Sequence, residues 1–115
     1  MILNLTQHQG TPEQGVVEPT EKGRVQALLT FSSLPSREEI SERAAELAAI
    51  AEAAGATAAM IGGAPYLMAP LEASLRGRGI RPLYAFSVRE SVETTDPDGT
   101  VRKTAVFRHK GFVEV

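Results

Sequence analysis

Apolar positions follow two rhythms along the chain, and each change of rhythm marks an element. The run Met1-Ile2-Leu3-Asn4-Leu5-Thr6 is short and apolar and reads as a strand, leaving through the polar loop Gln7-His8-Gln9-Gly10. Thr11-Pro12-Glu13-Gln14 reads as a helix start, with Thr11 as cap, Pro12 at the first helical position and Gln14 closing a capping box. Gly15 and Val16-Val17-Glu18-Pro19 keep that helix short, and Val16-Val17 can form a brief strand ended by Pro19. From Arg24 to Phe31, Val25, Leu28 and Leu29 have helical spacing, although Leu28-Leu29-Thr30-Phe31 alone could be a strand; a short helix is the expectation.

Ser32 to Gly55 carries the clearest helical period. Ser36 caps it and Glu39 completes a capping box, Ile40, Ala44, Leu47, Ala48 and Ala51 share a face, and Gly55 stops it. Glu38, Glu42, Glu46 and Arg43 are expected to face outward. Thr57 to Ile61 reads as a buried parallel strand, broken by Gly62-Gly63. The next helix runs from Pro65 to about Arg76 on the stripe Leu67, Leu71, Leu75, where Pro70 either kinks it or marks a second start. Ile80 to Val88 is apolar on both faces, as a central strand would be. Asp96-Pro97-Asp98-Gly99 signals a hairpin turn before the alternating strand Thr100 to Phe107, and Phe112-Val113-Glu114-Val115 can add a last short strand. The pattern predicts one α/β domain over residues 1–115, with a mostly parallel sheet and a C-terminal antiparallel β-hairpin.

Composition narrows the chemistry. The 115 residues include no cysteine, which excludes disulfides and zinc–thiolate sites and suggests a cytoplasmic home. His8 and His109 are the sole imidazoles, so no metal site is expected. No apolar run approaches a membrane span, and the first residues lack the basic leader of a signal peptide. Net charge is −2, but the basic residues gather late, at Arg76, Arg78, Arg81, Arg89, Arg102, Lys103, Arg108 and Lys110. That bias suits a small anionic ligand and is too weak for long nucleic acid. G-x-G-x-x-G, the P-loop and G-x-S-x-G are all absent, which disfavours NAD or ATP in their usual modes and an α/β-hydrolase.

Right-handed crossovers should bring three strand exits to one sheet edge: Thr6, Gln7 and His8; Gly62, Gly63, Ala64 and Tyr66; and Ser87, Arg89, Glu90 and Ser91. Backbone N–H groups at Gly63 and Ala64 can hold phosphate oxygens, Arg89 can grip phosphate in bidentate fashion, Tyr66 can stack on a base, and His8 can move a proton. Plainer roles stand beside these: His8 facing solvent or capping a helix, Tyr66 in the core, Arg89 paired with Glu90 or Glu93, the glycine turn only a turn. Arg108-His109-Lys110, beside Phe107 and Phe112, can reach the ligand edge or a dimer interface, or can simply protect an exposed strand end.

The Thr6-Gln7-His8 loop with Thr11-Pro12-Glu13-Gln14 behind it, the Gly62-Gly63 turn, Pro82 to Arg89, the Asp98-Gly99 hairpin and Val106-Phe107-Arg108-His109 with Phe112 together resemble a family. It comprises the small stand-alone CRISPR-associated proteins of Rossmann-like, CARF-related fold, several of which are ring nucleases that degrade cyclic oligoadenylate second messengers in antiviral defence. Where members have Thr-Thr-x-Arg, this chain has Phe86-Ser87-Val88-Arg89. The resemblance implies a Rossmann-like sheet with helices on both faces, and a homodimer whose two sheet edges form one symmetric pocket. It implies cleavage without metal or cofactor, the ribose 2′-hydroxyl attacking the adjacent phosphate. Arg89 would stabilise phosphate, His8 would transfer the proton, and Gln7 and Ser87 would position the ribose. The alternatives are a nucleotide sensor or sink of the same fold, and an interaction protein with no ligand.

Overall fold

The computed structural model describes all residues from Met1 to Val115. Seven elements follow one another: β1 (Ile2–Leu5), α1 (Lys22–Leu29), α2 (Arg37–Ala53), β2 (Ala58–Ile61), α3 (Pro65–Gly77), β3 (Arg81–Thr95) and β4 (Val101–Glu114). The sheet order is β1-β2-β3-β4. β1 and β2 pair in parallel with Leu3 beside Ala59 and Leu5 beside Ile61, and β2 pairs in parallel with β3 from Ala58–Arg81 to Met60–Leu83. β3 and β4 are antiparallel from Leu83–Glu114 to Thr95–Val101, the longest ladder in the molecule. The sheet is therefore mixed rather than mostly parallel. No helix is long and apolar enough to cross a membrane.

All three helices pack on one face, not on both. The sheet grows in one direction, from β1 through β2 to β3, and right-handed crossovers along such a series fall on the same side. One core accordingly unites Leu3, Leu5, Ala59 and Ile61 with Val25, Leu28 and Leu29 of α1, Ala44, Leu47, Ala48 and Ala51 of α2, and Leu67, Met68, Leu71 and Leu75 of α3. Each fully buried leucine contributes about 1.5–3 kcal/mol of transfer free energy. Asn4 alternates with Leu3 and Leu5, so it points to the opposite face; that face carries the chain segment His8 to Glu18 in place of a helix, and Asn4 is wholly buried there.

Local signals explain most boundaries. Ser36 Oγ accepts the Glu39 N–H at 3.1 Å, forming the N-terminal cap of α2, and Gly55, at φ +73°, lets the chain turn away after it. α1 forms as a helix with Val25, Leu28 and Leu29 inward. Pro70 lies inside a continuous α3, not at a second start. Thr11 to Gly15 makes a turn and no helix: the Thr11 N–H donates to Gln14 Oε1 and the Gln14 N–H to the Thr11 carbonyl, but Gly15 at φ +64° ends the turn at once. Val17 forms a single parallel bridge to Leu3, its N–H donating to Ile2 and its carbonyl accepting from Asn4.

The hairpin is longer than the alternation suggests. Its turn lies where Asp96 to Gly99 puts it, with the Asp96 N–H on the Thr100 carbonyl at 2.8 Å. β3 runs on past Val88 to Thr95, and β4 is continuous from Val101 to Glu114 rather than two strands. A bulge absorbs the irregularity: Phe86 faces Gly111 and Ser87 faces His109, leaving Lys110 as the extra residue, and Gly111 takes φ +145°. At the hairpin's base, the Tyr84 hydroxyl donates to Glu72 at 2.6 Å and ties β3 to α3. Burial, reinforced by the Glu72 charge, pushes the Tyr84 phenol up to about 12.

Candidate ligand cleft

A cleft of about 570 Å³ opens at the carboxyl edge of the parallel strands. Thr6, Gln7 and His8 come to it from the exit of β1, and Gly62, Gly63, Ala64 and Tyr66 from the β2–α3 turn. Those two exits converge as their strand directions require. The end of α1 supplies a third wall, Leu29, Thr30 and Phe31, which the linear pattern does not assign to a site. The aromatic residue just after a short helix is its one trace in the sequence.

The third expected exit is not there. Ser87, Arg89, Glu90 and Ser91 lie within β3, paired to β4, and do not line the cleft. Arg108 and His109 sit opposite them on β4 and do not line it either. The reason is cooperative: once Pro82 to Phe86 pairs with Gly111 to Val115, the ladder continues to the turn and no exit remains at Ser87. Glu90 pairs with Arg108 at 3.5 Å and Lys110 at 3.2 Å, and Glu93 with Lys103 at 3.7 Å, so Arg89 takes neither expected carboxylate. Arg108 also meets Glu13 at 3.5 Å. His109 donates its backbone N–H to Glu13 and sets its ring edge-on to Phe112, centroids 4.8 Å apart, with Nδ1 buried and unpartnered.

Asn4 organises the β1 side of the cleft. Its Oδ1 accepts the Thr6 N–H at 2.9 Å and lies 2.6 Å from the Thr6 hydroxyl. Its Nδ2 donates to the His8 carbonyl at 2.7 Å and to Glu18 at 2.9 Å. Lys22 Nζ, from the first turn of α1, donates to the Thr6 carbonyl at 2.9 Å and the His8 carbonyl at 3.1 Å, and pairs with Glu18 at 2.9 Å. Burial pushes the Glu18 carboxyl up, but hydrogen bonds from Asn4, Lys22 and the Gly10 N–H outweigh it and hold Glu18 below its ordinary value. The loop backbone is thus pinned on its inner side, while the His8 side chain stays exposed and makes no hydrogen bond within the chain.

The α1 wall is tied down from behind. Gln7 Nε2 donates to Thr30 Oγ1 at 3.0 Å, and Gln26 Nε2 to the Gln7 carbonyl at 3.1 Å. Arg43, expected outside, reaches inward: its guanidinium donates to the carbonyls of Ala27 and Thr30 and stacks over Phe31 at 4.3 Å. A cation thereby satisfies the last carbonyls of α1. Phe31 meets Tyr66 edge to face, centroids 5.2 Å apart at 75°, leaving Tyr66 about half exposed at the rim.

The β2–α3 turn supplies the polar floor. Gly63 adopts φ +150°, a conformation that side chains rarely take. Pro65 starts α3, and the first chain hydrogen bond of that helix end runs from the Leu67 N–H to the Ala64 carbonyl. No backbone carbonyl accepts from the N–H of Gly63, Ala64 or Tyr66. Such free donors at a helix start favour negative charge.

Residues 1–113 match the model of the family described as Uncharacterized protein MJ1673 family. The chain belongs to the MJ1673 family. The match runs from β1 nearly to the end of β4, so the family pattern covers both the cleft and the hairpin. No curated protein and no solved structure matches the chain.

Proposed function

We propose that this MJ1673-family chain binds a small phosphate-containing ligand of the nucleotide class in the cleft between the β1 exit and the β2–α3 turn. One observation carries the proposal: the free N–H groups of Gly63, Ala64 and Tyr66 share a cleft with the half-exposed Tyr66 ring and the exposed His8. The donors suit phosphate oxygens, the Tyr66–Phe31 pair suits a base, and Gln7 and Thr6 suit ribose hydroxyls. The Rossmann-like reading of the sheet belongs to this proposal, supported by three parallel strands with the cleft at their carboxyl edge. The resemblance to CARF-related proteins nominates cyclic oligoadenylate as the ligand and a homodimer as the acting form.

A second reading adds cleavage, because the His8 imidazole stands at the cleft with no partner in the chain. His8 would take the proton of a ribose 2′-hydroxyl as its oxygen bonds to the adjacent phosphorus; the bond to the 5′ oxygen breaks, and that oxygen takes a proton from water. Arg89, on β3, is not part of this machinery; the charge developing on phosphate would fall to the Gly63 and Ala64 N–H groups.

The test incubates the purified protein with cyclic tri-, tetra- and hexa-adenylate in EDTA. Products are resolved by chromatography, and melting is followed in parallel. Cleavage supports the second reading. Intact ligand with a raised melting temperature supports binding alone, a ligand at about a hundredfold excess over its dissociation constant adding roughly 2.7 kcal/mol. Neither effect with any ring size refutes cyclic oligoadenylate as ligand.

A further inference from the structure

Beyond its base, where Tyr84 meets Glu72 and Arg108 and His109 meet Glu13, the β3–β4 hairpin stands away from the packed body. The chain has a radius of gyration of 17.1 Å and measures 58 Å along its longest axis, against roughly 13 Å for the radius of gyration of a compact chain of this length. β2 pairs with β3 only as far as Leu83, so Tyr84 to Thr95 has a neighbour on the β4 side alone. No other backbone hydrogen bond reaches that stretch. A two-stranded ribbon is marginal in water, and this one exposes Phe86, Val101 and Phe107.

Its two free edges differ in charge. Between Val101 and Val113, β4 carries Arg102, Lys103, Arg108 and Lys110 and no carboxylate. Two copies of that stretch brought together antiparallel gain no opposite-charge pair, and two of their registers oppose like charges: Arg102 to Lys110 with Val106 on the axis, or Arg102 to Arg108 with Ala105 on it. That stretch of β4 offers its own copy no opposite charge. The β3 edge does. A two-fold axis perpendicular to the sheet must pass opposite one residue, because facing residues share a side. With Ser91 there, Arg89 lies opposite Glu93 of the second copy, twice, and Glu90 lies opposite Val92. With Arg89, Glu90 or Glu93 on the axis, a charge meets itself.

Arg89 is also free to make such a pair. Every basic side chain except Arg37 and Arg89 has a carboxylate within 4.0 Å in the chain. Glu93 is paired only with Lys103, at 3.7 Å and well exposed. From this charge pattern we infer that two copies of the chain associate through antiparallel pairing of their β3 edges about Ser91. The two hairpins become one four-stranded sheet, and Arg89 extends the Lys103–Glu93 pair of the other copy into a ladder. Half-buried Val88 and Val92 then lie on one continuous face.

Sedimentation of the full chain from 1 to 100 µM, about the range over which weak dimers form, tests this. The expected species is twice the 12.3 kDa chain. Arg89→Glu alone and Glu93→Arg alone each weaken the dimer at least tenfold, and the double variant R89E/E93R restores it. Circular dichroism melts establish that each variant is folded. The amides between Ser87 and Thr95 that point away from β4 gain hydrogen-exchange protection as protein concentration rises. A wild type that stays monomeric, single variants that dimerise like it, or a double variant that fails to recover overturns the inference. None of these results depends on what the cleft binds.

Discussion

Replacing Asn4 with alanine is the sharpest test of how the cleft is built. Asn4 is wholly buried, and its one amide serves the Thr6 N–H, the His8 carbonyl and Glu18. Without it, the Thr6 N–H loses its acceptor and Glu18 loses a donor, while Lys22 still holds the His8 carbonyl and Glu18. A buried polar group left without a partner costs about 1–3 kcal/mol. The retained lysine and the part-exposed Glu18 side chain moderate the second loss, so we expect a total of about 2–4 kcal/mol. At roughly 4 °C per kcal/mol for a chain of this size, the melting temperature falls by about 8–16 °C. The pH dependence changes as well. Glu18 sits below its ordinary value in the fold, so its stabilisation is present above the unfolded value and is lost as pH falls through the folded one. Acid unfolding of Asn4→Ala should be shallower in that window. Asn4→Asp sharpens the point: it sets a carboxylate against Glu18, so it should be less stable than Asn4→Ala at pH 7 and recover towards it in acid. Urea titrations from pH 3 to 8, read by circular dichroism, measure all three. A loss under about 0.5 kcal/mol with unchanged acid dependence would refute the claim that this network holds the β1 exit, since a value that small is typical of an ordinary surface substitution.

Gly63→Ala places a side chain at φ +150° with ordinary contacts to Met68 and Leu29, so backbone strain of about 1–3 kcal/mol is expected, together with a smaller ligand-induced melting shift. His8→Ala should abolish any cleavage of cyclic oligoadenylate while leaving that shift in place; loss of both would make His8 a binding residue. Tyr84→Phe removes the hydroxyl donated to Glu72 and should cost about 1.5 kcal/mol by urea denaturation. The raised Tyr84 phenol favours the fold below its ordinary value near 10 and ceases to do so as pH rises through about 12. The phenylalanine variant should therefore lack that component of alkaline destabilisation.

By itself the sequence determined what local forces decide. Ser36 with Glu39, the alanine face of α2, the Gly62-Gly63 break before Pro65 and the Asp96 to Gly99 turn are each written in neighbours a few residues apart, so elements and their order are legible there. The convergence of the β1 exit with the glycine turn was legible too, since two parallel strands joined by a right-handed crossover must end at the same edge. Other features depended on partners far along the chain. Whether helices cover one face or two is set by strand order, and no residue near α1 or α3 encodes that order. Whether Ser87 is an exit or mid-strand depends on His109 lying opposite it. Asn4 looks like a weak point in an apolar strand until Glu18 is brought against it with Lys22 alongside, and Phe31 lines the cleft with Arg43, from α2, bonded to the end of α1 and stacked over its ring. Short-range periodicity sets the type of each element; which groups meet is a property of the closed chain, because the free energy of burying a polar or charged group depends on the partner that folding supplies.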